Sequence, residues 1–216
     1  MVAPIATMSC RCGTVRGTLT GATPDSVNRA VCYCDDCQAF AHWLSRADLL
    51  DAHGGSDIVQ FAPGAFTIDS GHDAIACVRL GPQGIFRFYA TCCKTPVGNT
   101  VKPSIPFIGV PVQAFGQGAQ EADRTFGRPA GRIMARFAIG QPPDASQGIG
   151  AWLMLRAVAK VLWWRLSGRS GPHPLMSRDT GEPLFSVTVL SRQERDSLRP
   201  LCGPHPTASA PAASTT

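Results

Sequence analysis

The sequence predicts a mainly β fold of antiparallel strands, closed by clustered thiols and followed by a C-terminal helix. Short β-branched or aromatic runs recur between turn dipeptides from residue 57 to residue 90. Seven of the nine cysteines gather in three tight groups far apart in the chain. One apolar stretch, Gly150 to Leu166, is long enough for a substantial helix.

The most informative group is Val31-Cys32-Tyr33-Cys34-Asp35-Asp36-Cys37. On an extended strand residues i and i+2 share a face, so Cys32 and Cys34 can point at one ion. A turn through Asp35 and Asp36 brings Cys37 to the same point. Asp35 to Leu44 reads as a short helix with acidic residues in its first turn, which places Cys37 where the helix dipole stabilises a thiolate. Upstream, Cys10-Arg11-Cys12-Gly13 repeats the i, i+2 spacing before a short strand that ends near Leu19. Gly13 permits a turn whose amides can face the sulfurs.

The segments 57–61, 65–69, 74–80 and 85–90 read as strands of an antiparallel meander that ends at Cys92-Cys93. Within it Ile75, Cys77 and Arg79 share one face, and Ala76, Val78 and Leu80 the other. Phe86 and Phe88 share a face opposite Arg87. Prolines at 103, 106 and 111 argue that residues 100–115 form an irregular or edge segment. Residues 117–147 read as loop with a short strand between Arg132 and Ile139, and Leu184 to Leu190 as a further strand. The organisation expected is a zinc-binding domain over residues 8–140, a helical extension over 141–202 and a disordered tail over 203–216.

The chain has 216 residues, 44% of them hydrophobic, enough for a real core. An odd cysteine count and no charged, apolar leader argue against a secreted disulfide scaffold. The expectation is a reducing cytoplasm, where clustered thiols signify metal or redox chemistry. The formal charge of +5, mostly arginine, is spread out without basic blocks, so no nucleic-acid partner is expected. In the Trp152–Leu166 helix, Arg156 and Lys160 share a face. Packing on the domain or across a homodimer is favoured over a membrane surface, and the charges argue against a transmembrane span.

Zinc is the default ion for closely spaced thiolates. The thiols divide into Cys10, Cys12, Cys92 and Cys93 for a closed tetrahedron, and Cys32, Cys34 and Cys37 for a site with an open position. Cys-x-Cys-Gly, Cys-x-Cys-x-x-Cys about twenty residues later, and Cys-x-Thr-Pro after the strands resemble the glutathione-dependent formaldehyde-activating enzyme and centromere protein V domain family, over residues 8–110. That resemblance implies an Mss4-like fold, a structural zinc on Cys10, Cys12 and Cys93, and a catalytic zinc on Cys32, Cys34 and Cys37. It also implies carbon–sulfur lyase chemistry on glutathione or another small thiol adduct. The chain departs from the family pattern at Ala90, where a first thiol is expected in the third motif, at Lys94, where glycine is usual, and at Tyr33, where histidine is common. Tyr33, Asp35, Asp36 and His42 are candidate acid, base or supporting groups beside the three-thiol site. The competing expectations are a non-catalytic scaffold stabilised by zinc and reversible oxidation of Cys92-Cys93. Cys77 reads as a small buried hydrophobe.

Overall fold

A computed structural model describes residues 4–116 and 118–204. The strands are β1 (Ile5–Ser9), β2 (Arg16–Thr20), β3 (Asn28–Cys32), β4 (Ser56–Phe61), β5 (Phe66–Ser70), β6 (Ile75–Arg79), β7 (Phe86–Ala90), β8 (Pro96–Thr100), β9 (Ile108–Pro111), β10 (Arg132–Ile133) and β11 (Val187–Val189). The helices are α1 (Asp35–Trp43), α2 (Ala119–Phe126), α3 (Ala151–Leu166) and α4 (Arg192–Ser197). The protein is thus mainly β, as the strand pattern predicts.

Two sheets face each other. One has the order β1-β2-β5, and the other β10-β3-β4-β9-β8-β7-β6-β11. The larger sheet is antiparallel from β3 through to β6, but its edge strands β10 and β11 run parallel to their neighbours. Met8, Leu19, Phe66 and Ile68 of the small sheet pack with Phe61, Ile75, Phe88, Val97, Ile108 and Val110 of the large one in a single core. The alternation in β6 is as expected: Ile75 and Cys77 enter this core, while Ala76, Val78 and Leu80 face the other side. There they meet Ala39, Phe40 and Leu44 of α1. Cys77 is fully buried, as its strand position predicts.

The meander is shorter than expected. Of the segments expected in it only β6 and β7 pair in succession, in a run that continues through β8 and β9, whereas β4 lies between β3 and β9, and β5 crosses to β2 in the small sheet. The reason is visible in β5, where buried Phe66 and Ile68 alternate with exposed Thr67 and Asp69. Such a one-faced strand closes the opposite side of a sandwich. Gly17 makes that pairing possible, since a Cβ there would stand 2.7 Å from the Thr67 carbonyl oxygen.

The expectation for residues 100–115 is corrected: β9 is a central strand between β4 and β8. Pro103 and Pro106 precede it, and Pro111 is its last residue, so the interior of the strand loses no amide donor to proline. Strand β8 over Pro96–Thr100 has no counterpart in the sequence expectations, and two further elements extend beyond them. Strand β1 begins before residue 8, and α2 forms within the 117–147 stretch read as loop. Buried Arg29 of β3 bridges Asp57 and Asp123, each at 2.7 Å, and ties α2 to the large sheet.

The C-terminal part folds onto this body. Leu175 and Met176 enter the main core, and β11 extends the large sheet alongside β6. Most of the stretch expected to form a tail, from residue 205 onward, lies outside the described residues. Helix α3 forms where its apolar run predicts. Arg156 donates to Asn28 Oδ1 at 3.2 Å and Lys160 to the Asp25 carbonyl, so both charges hold the helix to the body. Leu153 and Trp164 are buried, while Trp152, Leu155 and Leu166 are 64%, 68% and 87% exposed. The helix therefore presents an apolar face outward. No described helix is long and apolar enough to cross a membrane.

Burial pushes the His173 imidazole down from 6.5 to about 4. Between those values the unfolded chain binds a proton that the folded chain does not, so stability falls as pH falls from 6.5 toward 4. The expected loss is up to about 3 kcal/mol. The gap between the urea midpoints at pH 7 and 4.5 should be smaller in a His173→Asn variant than in the parent. Equal pH dependence in the two proteins would remove His173 from the account.

Candidate metal centres

Two groups of cysteines converge. Cys10, Cys12, Cys92 and Cys93 form one, and Cys32, Cys34 and Cys37 the other, with the sulfurs of each group within 4.8 Å of one another. All nine cysteines are free. The seven expected ligands are therefore brought together as two sets, and each set can hold a metal ion.

The four-thiol centre is built by two turns. In the first, Gly13 has φ of 79°, its amide donates to the Cys10 carbonyl at 2.8 Å, and the Val15 amide donates to the Cys10 sulfur at 3.2 Å. The second follows β7. Lys94 occupies the left-handed region with φ of 57° and donates to the Ala90 carbonyl at 2.8 Å, so a lysine takes the conformation that glycine would take with less strain. Thr95 completes the junction, accepting from the Arg11 amide at 3.1 Å and contacting the Cys93 sulfur at 3.2 Å. Sulfur separations are 3.5 Å for Cys10–Cys12, 4.0 Å for Cys10–Cys92, 3.2 Å for Cys12–Cys92 and 3.8 Å for Cys92–Cys93. A tetrahedral ion with thiolates at the zinc–sulfur length requires sulfurs about 3.8 Å apart. The separations, from 3.2 to 4.0 Å, fall on either side of that spacing, and adjacent Cys92 and Cys93 both lie within the set that could hold an ion.

Charge is divided unevenly within this set. Hydrogen bonds from Thr14, then from Cys92 and Cys10, bring Cys12 down to about 6. Cys93 is also lowered, against a desolvation penalty, by bonds from Thr95 and the Cys12 backbone. Partial desolvation and bonds to its neighbouring sulfurs push Cys92 up to about 12, and burial raises Cys10. Cys12 and Cys93 are thus the thiols of the set that give up protons more readily, and Cys10 and Cys92 those whose protons binding of an ion must displace.

The three-thiol centre sits where β3 runs into α1. Cys34 is the residue that caps α1, and its carbonyl accepts from the Cys37 amide at 3.0 Å and the Gln38 amide at 3.2 Å. Gln38 is fully buried and anchors the turn, donating to the Tyr33 carbonyl at 2.7 Å and the Phe137 carbonyl at 2.8 Å. Hydrogen bonds from Cys32 and Cys34, and then the charge of Arg87, hold Cys37 well below its usual range. Cys32 and Cys34 are raised in turn. Cys37 is therefore the thiol of the three that gives up its proton first.

Five charged side chains surround that turn. Asp35 is buried and ion-paired with Arg195 and Arg199. Asp36, half exposed, accepts from Arg195 at 2.9 Å and lies 3.9 Å from Arg87. Arg87 is only 2% exposed and stacks on Phe40, with its guanidinium carbon 5.2 Å from the ring centre. A divalent ion with three thiolates carries a formal charge of −1. Together with three arginines and two aspartates this makes a neutral assembly.

The other candidates beside the site separate clearly. Tyr33 lies on the opposite face of the strand from its cysteine neighbours. It is fully buried, its hydroxyl donates to Asp51 at 3.1 Å, and it accepts from Arg132 at 2.9 Å. It is a packed, bonded ring. His42 lies in the last turn of α1, about 140° around the helix from Cys37. Arg87, Arg195 and Arg199 were not anticipated. The opposition of Arg87 to Phe86 and Phe88 marks its face, and Arg195 and Arg199 have helical spacing, but neither signal names a partner. Cys202, from the same C-terminal turn, contacts the Asp35 carbonyl at 3.8 Å, and burial pushes its thiol up to about 11.

Fold and site together define a cysteine-rich β-sandwich protein with two thiol clusters that can each hold a metal ion. The chain belongs to DUF6151, a family of unknown function, whose pattern spans residues 2–187. Arg195, Arg199 and Cys202 lie beyond that stretch. No curated protein matches the chain in sequence. A Rhodobacter sphaeroides protein solved as a structural genomics target shares 13% identity at a TM-score of 0.39, over 55% of this chain and 96% of that one. Its likeness is too low to assign a function.

Proposed function

We propose that the protein is a zinc-dependent carbon–sulfur lyase of the formaldehyde-activating type, acting on an adduct of glutathione or another small thiol. In this reading Cys10, Cys12, Cys92 and Cys93 hold a structural zinc, and Cys32, Cys34 and Cys37 hold a catalytic one in an Mss4-like domain. The observation that carries it is the convergence of three sulfurs, and only three among the described residues, beside a buried arginine. A bound zinc would supply Lewis acidity weakened by three thiolates and a preference for a soft sulfur ligand over hydroxide. The spacing of the first two cysteine motifs, shared with the formaldehyde-activating family, supports the same reading.

The chain contributes the rest. Cys34 and Cys37 are fixed by the α1 turn, and Arg87 compensates the negative charge of the site. Asp35 is buried between Arg195 and Arg199, whereas Asp36, which shares Arg195 with it, is half exposed and is the carboxylate a substrate proton could reach. A second reading, a scaffold with two purely structural ions, is favoured by the depth of these sulfurs, since each of the three bears a desolvation cost, which only at Cys37 is outweighed by its neighbours and Arg87.

Elemental analysis should give two zincs per chain, and one in a Cys34→Ser variant that keeps its fold. In the cobalt-substituted protein, glutathione should perturb the absorption of one of the two ions. An unresponsive spectrum, or collapse of the Cys34→Ser fold, would favour the scaffold instead.

A further inference from the structure

Beyond the cysteine centres, a cavity of about 370 Å³ opens between the end of α3, the loop that follows it and the 103–106 turn. Four of its lining residues carry polar groups that suit an anion. Arg165 and Arg178 form no ion pair among the described residues, and Arg165 makes only a 3.4 Å contact to the Ser104 carbonyl. His173 is 7% exposed, and its Nδ1 accepts from the Leu175 amide at 3.2 Å. That bond places the ring proton on Nε2. Burial keeps the ring neutral near pH 7. Nε2–H has no partner among the described residues, nor does the buried Ser170 hydroxyl. Leaving such groups unpaired costs about 1–3 kcal/mol each.

The walls are fixed before any ligand arrives. The Arg169 carbonyl accepts from the Gly64 amide at 3.0 Å, and a Cβ at Gly64 would stand 2.7 Å from the Gly171 carbonyl oxygen, so the loop lies directly on the body. Leu175 and Met176, just beyond His173, are locked in the main core. The carbonyl end of α3 would oppose an anion. Two of its last carbonyls, however, accept from the Ser167 and Arg169 amides, and Arg165 stands in the same turn.

We propose that this cavity binds a phosphoryl group, held by Arg165 and Arg178 with the Ser170 hydroxyl and His173 Nε2–H as further donors. Two guanidinium groups and two neutral donors suit a tetrahedral dianion better than a planar carboxylate. At roughly 30 Å³ per water, the space holds about a dozen waters. It therefore has room for more than a phosphate ion, with the remainder of the ligand against the Pro103 and Pro106 rings. The phosphate belongs either to a soluble phosphorylated compound or to a phospholipid headgroup, the latter beside the exposed apolar face of α3. No residue is shared with either cysteine centre, so the proposal stands apart from the zinc reading.

Calorimetry on the full chain tests it with inorganic phosphate and glycerol phosphate, alongside co-sedimentation with phosphatidic acid or phosphatidylcholine vesicles. Arg165 and Arg178 are exposed, so Arg165→Gln and Arg178→Gln should fold normally. Each should weaken binding about tenfold. Saturable binding of the soluble compounds that both substitutions weaken supports a phosphorylated metabolite. Binding confined to phosphatidic acid vesicles, and weakened by the same substitutions, supports a headgroup. Binding that the Arg165→Gln/Arg178→Gln double variant retains, equal sedimentation with phosphatidylcholine, or no binding to any of these probes would overturn it.

Discussion

Replacing Cys10 with serine is expected to empty the four-thiol centre and lower the melting temperature by 10 °C or more, on the order of 4 kcal/mol. The size of the effect follows from what the centre joins. Cys10 and Cys12 end the first strand of the small sheet, while Cys92 and Cys93 lie between β7 and β8 of the large sheet. An ion there closes a loop of about 80 residues, and long loops are where a cross-link restricts the unfolded chain most. Cys10 is itself buried in the main core, so exchanging its sulfur for a more strongly solvated hydroxyl adds a further penalty. Calorimetric melting with metal analysis on the same samples checks this. A Cys202→Ser control should keep both ions, and a Cys10→Ser protein that retained two ions and the parent melting temperature would contradict the assignment.

Arg87→Met is expected to weaken the three-thiol centre 10- to 100-fold in metal affinity and to cost about 3 kcal/mol of stability. Methionine fills the space over Phe40 but brings no charge, so Asp36 and the Cys37 thiolate lose a buried cation. The Cys37 thiol should then rise toward its ordinary value, and metal uptake should need a higher pH because more protons must leave. Competition with a chromophoric chelator at pH 6.5 and 8 reads both effects. The four-thiol centre, which has no contact with Arg87, should be unchanged. Equal weakening at the two centres would show that Arg87 acts through global stability alone.

Local patterns in the chain carried much of this protein. Cys32, Cys34 and Cys37 are set by strand and helix periodicity within six residues, so their convergence is legible without knowing any neighbour. The same holds for the two faces of β6 and for α3, where a long, mostly apolar run and a following Gly168 define the helix.

What tertiary structure alone decided is which remote groups meet. The crossing of β5 to the small sheet, the central place of β9 among prolines and the parallel edges β10 and β11 depend on long-range pairings that no short-range pattern encodes. Arg87, Arg195 and Arg199 reach the three-thiol turn from positions 50 to 165 residues away, and an isolated arginine reads the same whether it is solvated or buried against a carboxylate. The sequence by itself therefore determined the three-thiol set and the two pairs Cys10/Cys12 and Cys92/Cys93, because ligand spacing is a local property, while the meeting of those two pairs waited for the fold. Packing determined their charge environment, because burial and ion pairing arise only once distant segments share one interior.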